Sequence, residues 1–128
     1  MLTAALAYAD GDFVIDANGV LTKYTGSSVE VVIPDGVTAI GNTAFFNRAD
    51  LTRVTFPSTL VSIGQDAFAH CHGLTSVVLP DSVETLGYRA FDDCDGLTSV
   101  TFGSGLKSIG GRCFWYLPRK TQKMRDCL

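Results

Sequence analysis

His70 and His72 flank Cys71, and 23 residues further on Asp93 and Asp95 flank Cys94, with Asp92 adjacent. Two imidazoles beside three carboxylates form a donor set that suits a transition metal. The same residues would equally make surface His–Asp pairs worth ~0–1 kcal/mol each. Nothing else in the sequence supplies a pocket or a supporting shell. No metal and no cofactor is therefore expected, with His70, His72, Asp93 and Asp95 as the outside candidate. Cys71 and Cys94 would sit on neighbouring turns of a 23-residue repeat, and Cα atoms ~5 Å apart would permit a disulfide by distance. Side chains stacked in one column point the same way, however, so both are expected as reduced core thiols, where free cysteine behaves as a small hydrophobe. Cys113 is expected to be buried, and Cys127, near the C-terminus, is the thiol expected to react. There is no C-x-x-C spacing and hence no strong zinc signal. No G-x-S-x-G occurs, and no Ser or Cys is paired with a base and an orienting acid. Gly103-Ser104-Gly105 is too short for a phosphate loop. The chain is expected to be no enzyme.

The elements that must position these residues repeat. Residues 28–50, 51–73, 74–96 and 97–119 align without gaps, and the second and third rows share 9 of 23 residues, which makes chance a poor explanation. Val31, Val54, Val77 and Val100 form one column. Ile33, Phe56, Leu79 and Phe102 form another two residues later, and this alternation is strand-like. Pro34, Pro57 and Pro80 follow, ending each strand because proline lacks the N–H that a ladder needs. Val37, Leu60, Val83 and Leu106, then Ile40, Ile63, Leu86 and Ile109, are apolar in every row and belong inside the coil. Gly41, Gly64, Gly87 and Gly110 imply either positive φ or close backbone approach at a corner. The pairs Ala44-Phe45, Ala67-Phe68, Ala90-Phe91 and Cys113-Phe114 set a small residue beside a large one, which suits a tight helical turn with the ring as central plug.

One such unit cannot bury its own apolar side, and about three stacked units are needed for a stable core. Open solenoid ends need capping. At the first end, Phe13-Val14-Ile15 and Val20-Leu21-Thr22 flank Asp16-Ala17-Asn18-Gly19, and Asn-Gly between β-prone runs signals a hairpin over residues 12–25. The row beginning at Leu97 loses its proline and its alanine and then runs into Trp115-Tyr116-Leu117-Pro118. The organisation expected is a lead-in or signal-peptide remnant at 1–9, where Ala7-Tyr8-Ala9 has a small-x-small form; a hairpin cap at 10–27; four repeats at 28–119; and a basic tail at 120–128.

The pattern L-T-x-V-x-[LF]-P-x-x-[VL]-x-x-[IL]-G-x-x-A-F-x-x-C over residues 28–117 resembles the BspA-like, or Treponema pallidum-type, leucine-rich repeat. The resemblance implies a right-handed α/β-type leucine-rich-repeat solenoid. It would carry parallel strands on one face, short helical turns or 3-10 segments on the other, and an N-terminal β-hairpin cap. It also implies a non-enzymatic protein-binding module at a bacterial surface or outside the cell, with adhesion or capture of a host or matrix protein as its role. The family has no catalytic residues to carry over.

The net charge of −3 gives no indication of nucleic acid as a partner, and no run approaches the ~20 apolar residues of a membrane span. Residues 1–111 carry 5 basic and 12 acidic residues, whereas 112–128 carry 5 basic and 1 acidic. The basic tail could dock an acidic partner, which supports an alternative reading as a cytoplasmic interaction scaffold. The strand face pointing away from the core shows Glu30, Val32, Arg53, Thr55, Ser76, Val78, Ser99 and Thr101, a usable docking surface in a solenoid. Trp115 and Tyr116 form a second candidate surface, because exposed Trp and Tyr are enriched at binding hot spots. Self-association through the C-terminal end is also expected, since an uncovered edge invites pairing.

Overall fold

The structure, a computed structural model, describes residues 12–115. Ten short strands follow one another in these residues: β1 (Phe13–Ile15), β2 (Val20–Tyr24), β3 (Glu30–Val32), β4 (Ala39–Ile40), β5 (Arg53–Thr55), β6 (Ser62–Ile63), β7 (Ser76–Val78), β8 (Thr85–Leu86), β9 (Ser99–Thr101) and β10 (Ser108–Ile109). Each repeat therefore contributes two strands and then a run of turns. The first strand of each repeat is the one that the Val column and the following apolar column mark out. The second is only two residues long, too short for a period-two pattern to reveal it.

The second strands build the longer sheet. Its order is β1-β2-β4-β6-β8-β10, antiparallel in the β1–β2 hairpin and parallel from β2 onward. The hairpin turn is held by Asp16, whose Oδ1 accepts the N–H groups of Asn18 (2.8 Å) and Val20 (3.1 Å), and Gly19 takes a φ of 81° that suits glycine. The hairpin is thus the first rung of the solenoid sheet, with Leu21 aligned on Ile40.

The third side of each coil corrects one expectation. No α-helix forms among the described residues; consecutive turns occupy the segments where helical or 3-10 turns are expected. The physical cause is a pair of left-handed residues in each of the first three coils: Thr43 and Asn47 (φ 61° and 62°), Asp66 and His70 (55° and 63°), Arg89 and Asp93 (57° and 54°). Each left-handed residue rotates a peptide, so successive N–H groups point in different directions. In the first coil, Ala44, Phe46 and Arg48 donate three residues back to Gly41, Thr43 and Phe45, while Thr43, Phe45 and Asn47 donate to Gln65, Ala67 and Ala69 of the next coil. The second coil repeats the pattern, with Asp66, Phe68 and His70 donating to Tyr88, Ala90 and Asp92. A helix would satisfy every N–H locally; here half of them tie coils together.

The core is a column of rings. Phe13, Tyr24, Phe45, Phe68, Phe91 and Phe114 follow one another with centroid separations of 5.1, 5.3, 4.8, 5.2 and 5.5 Å. The last four rings are fully buried and stack within 8° of parallel. Burying one such ring contributes about 1.5–3 kcal/mol, and each aromatic contact adds about 0.5–1.5. Tyr24 carries the column into the hairpin, so the cap joins the same core. Where later coils place Cys71 and Cys94, the first coil has Arg48. Its guanidinium lies 5.1 Å from the Tyr24 ring and donates to the Gly26 and Ser28 carbonyls (2.9 and 3.2 Å).

The corner glycines at Gly41, Gly64, Gly87 and Gly110 are explained by close approach. A Cβ on Gly87 would meet the backbone of Gly64 and Gln65 at 2.7 Å, and positive-φ glycine is confined to Gly19 and Gly36 among the described residues. In the last coil Val100, Phe102, Leu106 and Ile109 are only partly buried, while their counterparts in the preceding coils are buried. No helix among the described residues is long and apolar enough to cross a membrane.

Candidate functional site

The first strands of the repeats carry the strand-face candidate surface. Glu30, Arg53, Thr55, Ser76, Val78, Ser99 and Thr101 are exposed and Val32 half-buried, as strand alternation requires when Val31, Val54 and Val77 face the core. These strands do not form one sheet. β3 pairs with β5, and β7 with β9, both parallel and in register, but β5 and β7 are not joined. At the paired steps Thr52 N–H donates to Val29 O (2.7 Å) and Ile33 N–H to Thr55 O (3.0 Å), while Thr98 N–H donates to Thr75 O and Leu79 N–H to Thr101 O, both at 2.9 Å. Among the described residues no backbone bond links 52–56 to 75–79. The same two coils stay closed elsewhere: β6 pairs with β8, and Glu84 and Gly87 donate to Val61 and Ile63 at 2.8 and 2.7 Å. The solenoid is therefore unzipped locally, on one face and at one step.

A cleft of about 400 Å³ occupies this seam, lined by Arg53, Val54, Thr55, Phe56, Ser76, Val78 and Pro80. Phe56 forms part of its wall and packs edge-on against Phe68 at 5.8 Å. Val78 is 62% exposed. Arg53 has no ion-pair partner among the described residues, and Thr55 and Ser76 offer hydroxyls beside it. An unpaired guanidinium, two hydroxyls and apolar side chains beside unbonded strand edges are what an extended chain with a carboxylate could use. Its lining carries no nucleophile paired with a base and no pair of carboxylates.

On the turn side, the repeat sets His70 over Asp93 and His72 over Asp95. His70 Nδ1 lies 3.0 Å from Asp93 Oδ2, and His72 Nδ1 lies 2.9 Å from Asp95 Oδ1. Phe46 places its ring edge-on to His70 at 5.4 Å. Asp92, grouped with them by sequence, goes elsewhere: it is buried, with Arg89 Nε 2.8 Å from Oδ2, while Arg89 also reaches Asp66 Oδ1 at 3.4 Å. Trp115 is 49% exposed with the Arg112 guanidinium 5.2 Å from its ring, and its carbonyl accepts the Asp93 N–H at 3.1 Å. Tyr116, the residue 1–9 segment, the 120–128 tail and Cys127 lie outside the described residues.

Cys71, Cys94 and Cys113 are free and buried. The Cys71 and Cys94 thiols point at the carbonyls of Phe45 (3.3 Å) and Phe68 (3.1 Å), one coil back. Burial, which disfavours the thiolate, pushes Cys71 and Cys113 up to about 12 and moves Cys94 in the same direction. All three are protonated packing groups at neutral pH.

A 23-residue coil with a leading strand, a short second strand and a turn segment, stacked about four times over one column of apolar side chains, defines a leucine-rich-repeat β-solenoid. Residues 22–125 match the family model of the BspA type leucine rich repeat region (6 copies), and the chain belongs to that family. Among solved structures, the chain resembles the T. pallidum leucine rich repeat protein TpLRR, with 24% identity and a TM-score of 0.67 over 84% of this chain and 65% of that one. It also resembles a leucine-rich repeat protein from Bacteroides ovatus, with 22% identity and a TM-score of 0.58 over 75% of this chain and 39% of that one. A third is a leucine rich cell surface protein from Faecalibacterium prausnitzii, with 25% identity and a TM-score of 0.50 over 86% of this chain and 46% of that one. The chain thus spans less than two thirds of the length of each of these proteins. Comparison with curated protein sequences finds no match.

Proposed function

We propose that this chain is a protein-binding module of a bacterial cell-surface or secreted protein, and that it takes its ligand on the strand face, centred on the β5–β7 cleft. The observation that carries this reading is the cleft itself. It interrupts the sheet between Arg53–Thr55 and Ser76–Val78 and leaves strand edges, an unpaired cation and a well-exposed valine in one place. A ligand with an acidic side chain or carboxylate for Arg53 and an apolar residue for Val78 fits this chemistry. Adhesion to a host or matrix protein is the role this reading favours, and it is supported by family membership and by the similarity to a protein described as a cell surface protein.

The binding test is surface plasmon resonance of the immobilised chain against a set of purified extracellular-matrix proteins, repeated with Arg53→Glu/Val78→Glu. Saturable binding that the double variant loses, with an unchanged circular dichroism spectrum, supports the reading. A ligand that binds both forms equally moves the site away from the cleft. Location is tested by protease shaving of intact source cells followed by intact mass. Shaved protein supports the surface reading, and protected full-length protein turns the search to cytoplasmic partners of the strand face and the tail.

A further inference from the structure

We propose that His70, His72 and Asp93 form a binding site for a divalent transition-metal ion of the zinc, nickel or copper class, clamped across the second and third coils, with Asp95 orienting His72. The site lies on the turn side and is separate from the strand-face reading above. Two imidazoles and one carboxylate are ligands these ions accept, and three protein ligands leave a further position for water. One ligand atom from each of the three residues lies within 4.8 Å of the others. A tetrahedral ion with bonds of about 2.1 Å needs its ligand atoms about 3.4 Å apart. His70 Nδ1 and Asp93 Oδ2, at 3.0 Å, are already inside that separation. The widest separation, at most 4.8 Å, has to close by no more than about 1.4 Å (4.8 less 3.4), within reach of side-chain rotation at half-exposed and exposed positions.

The backbone beneath these side chains is tied to the next coil. His70 and Asp93 both take left-handed backbone, and their N–H groups are tied forward to Asp92 O (2.9 Å) and Trp115 O (3.1 Å). The Phe46 ring edge holds the His70 imidazole from the preceding coil. Asp95 contacts His72 Nδ1 and can fix its tautomer, as carboxylates behind metal-bound histidines do. The repeat itself does not demand these residues: in the first coil the columns of His70 and His72 hold Asn47 and Ala49. The donors meet only where a coil bearing two histidines lies on a coil bearing two aspartates.

That comparison supplies variants that preserve the fold. Asn47 holds φ 62° in the His70 column, so His70→Asn keeps a residue that tolerates left-handed backbone, and His72→Ala copies Ala49. The experiment titrates full-length, tag-free protein with zinc chloride and then nickel chloride by calorimetry, in a Cys127→Ser background that removes the tail thiol as a competing ligand. A one-to-one saturable site is expected, weakened more than about 100-fold by His70→Asn/His72→Ala and about 10–100-fold by Asp95→Asn, the loss typical of an orienting partner. Zinc should also raise the melting temperature of the Cys127→Ser protein and leave that of the double histidine variant unchanged, because an ion bound only by the folded chain stabilises it. Equal binding by both proteins, or an adventitious ion only, without saturation at one equivalent, overturns the proposal. Neither result bears on ligand binding at Arg53 and Val78.

Discussion

At the step from the second coil to the third, two faces of the same stack behave oppositely. On the strand side β5 and β7 lie next to each other without a ladder between them. On the turn side the same coils are joined by three backbone bonds, from Asp66, Phe68 and His70, and by the side-chain pairs His70–Asp93, His72–Asp95 and Arg89–Asp66. The 23-residue register is identical on both faces, so register alone does not decide where coils close. The turn side alternates its N–H groups between its own coil and the next, and these bonds come with the left-handed residues. The strand side closes through a single three-residue ladder at each of its other two steps, β3–β5 and β7–β9. Phe56 lies at the open step and lines the opening. A solenoid can therefore open a cleft on one face while the other keeps the coils in place.

The widest test removes what both faces share. Phe68→Ala or Phe91→Ala should cost about 3–5 kcal/mol, as loss of a buried ring does. That is a large part of the ~5–15 kcal/mol of an ordinary domain. Urea denaturation followed by hydrogen exchange should show both faces losing protection together; a selective loss would mean the faces fold independently. Raising the pH should strike the turn side first. Cys71, Cys94 and Cys113 keep their protons to higher pH when folded than the ordinary thiol value of about 8.5 allows when unfolded. Their stabilisation is thus complete below pH ~8.5 and declines as pH rises toward about 12. Melting temperatures from pH 7 to 11 read this, and native protein should resist a thiol reagent at pH 8 at all three positions.

Gly87→Ala addresses the backbone contact that keeps the second sheet shut. Its Cβ would meet Gly64 and Gln65 backbone, so a loss of about 1–3 kcal/mol is expected, with exchange increasing at β6 and β8. A neutral result would mean that the coils part on this side as readily as at the cleft. The smallest stability effect belongs to Arg53→Glu/Val78→Glu: within about 0.5 kcal/mol of the parent, as for exposed sites. A clear loss of stability would identify these two residues as structural members of the strand face.

Several of these features are legible in the residues themselves. The recurrence of Phe, Gly and Val columns at one spacing requires stacked coils, because no single unit can bury its apolar side. Val and Thr alternation places Arg53 and Val78 outward, and Asn18-Gly19 marks the hairpin. Tyr24 continues the ring column without a signal in the spacing, since it lies 21 rather than 23 residues before Phe45. Arg48 as the tie to the cap leaves no pattern either, since its partners are the carbonyls of Gly26 and Ser28.

What the sequence determined by itself is the period, the columns and hence the identity of the buried side chains, because apolar periodicity is local information repeated along the chain. What the tertiary structure decided is the path between those points. It chose left-handed turns over helix, close approach over positive φ at the corner glycines, a buried Asp92 apart from its neighbour Asp93, and an open seam at one step in the strand face. Each of these choices depends on which N–H meets which carbonyl one coil away, and that is settled only when the coils are stacked.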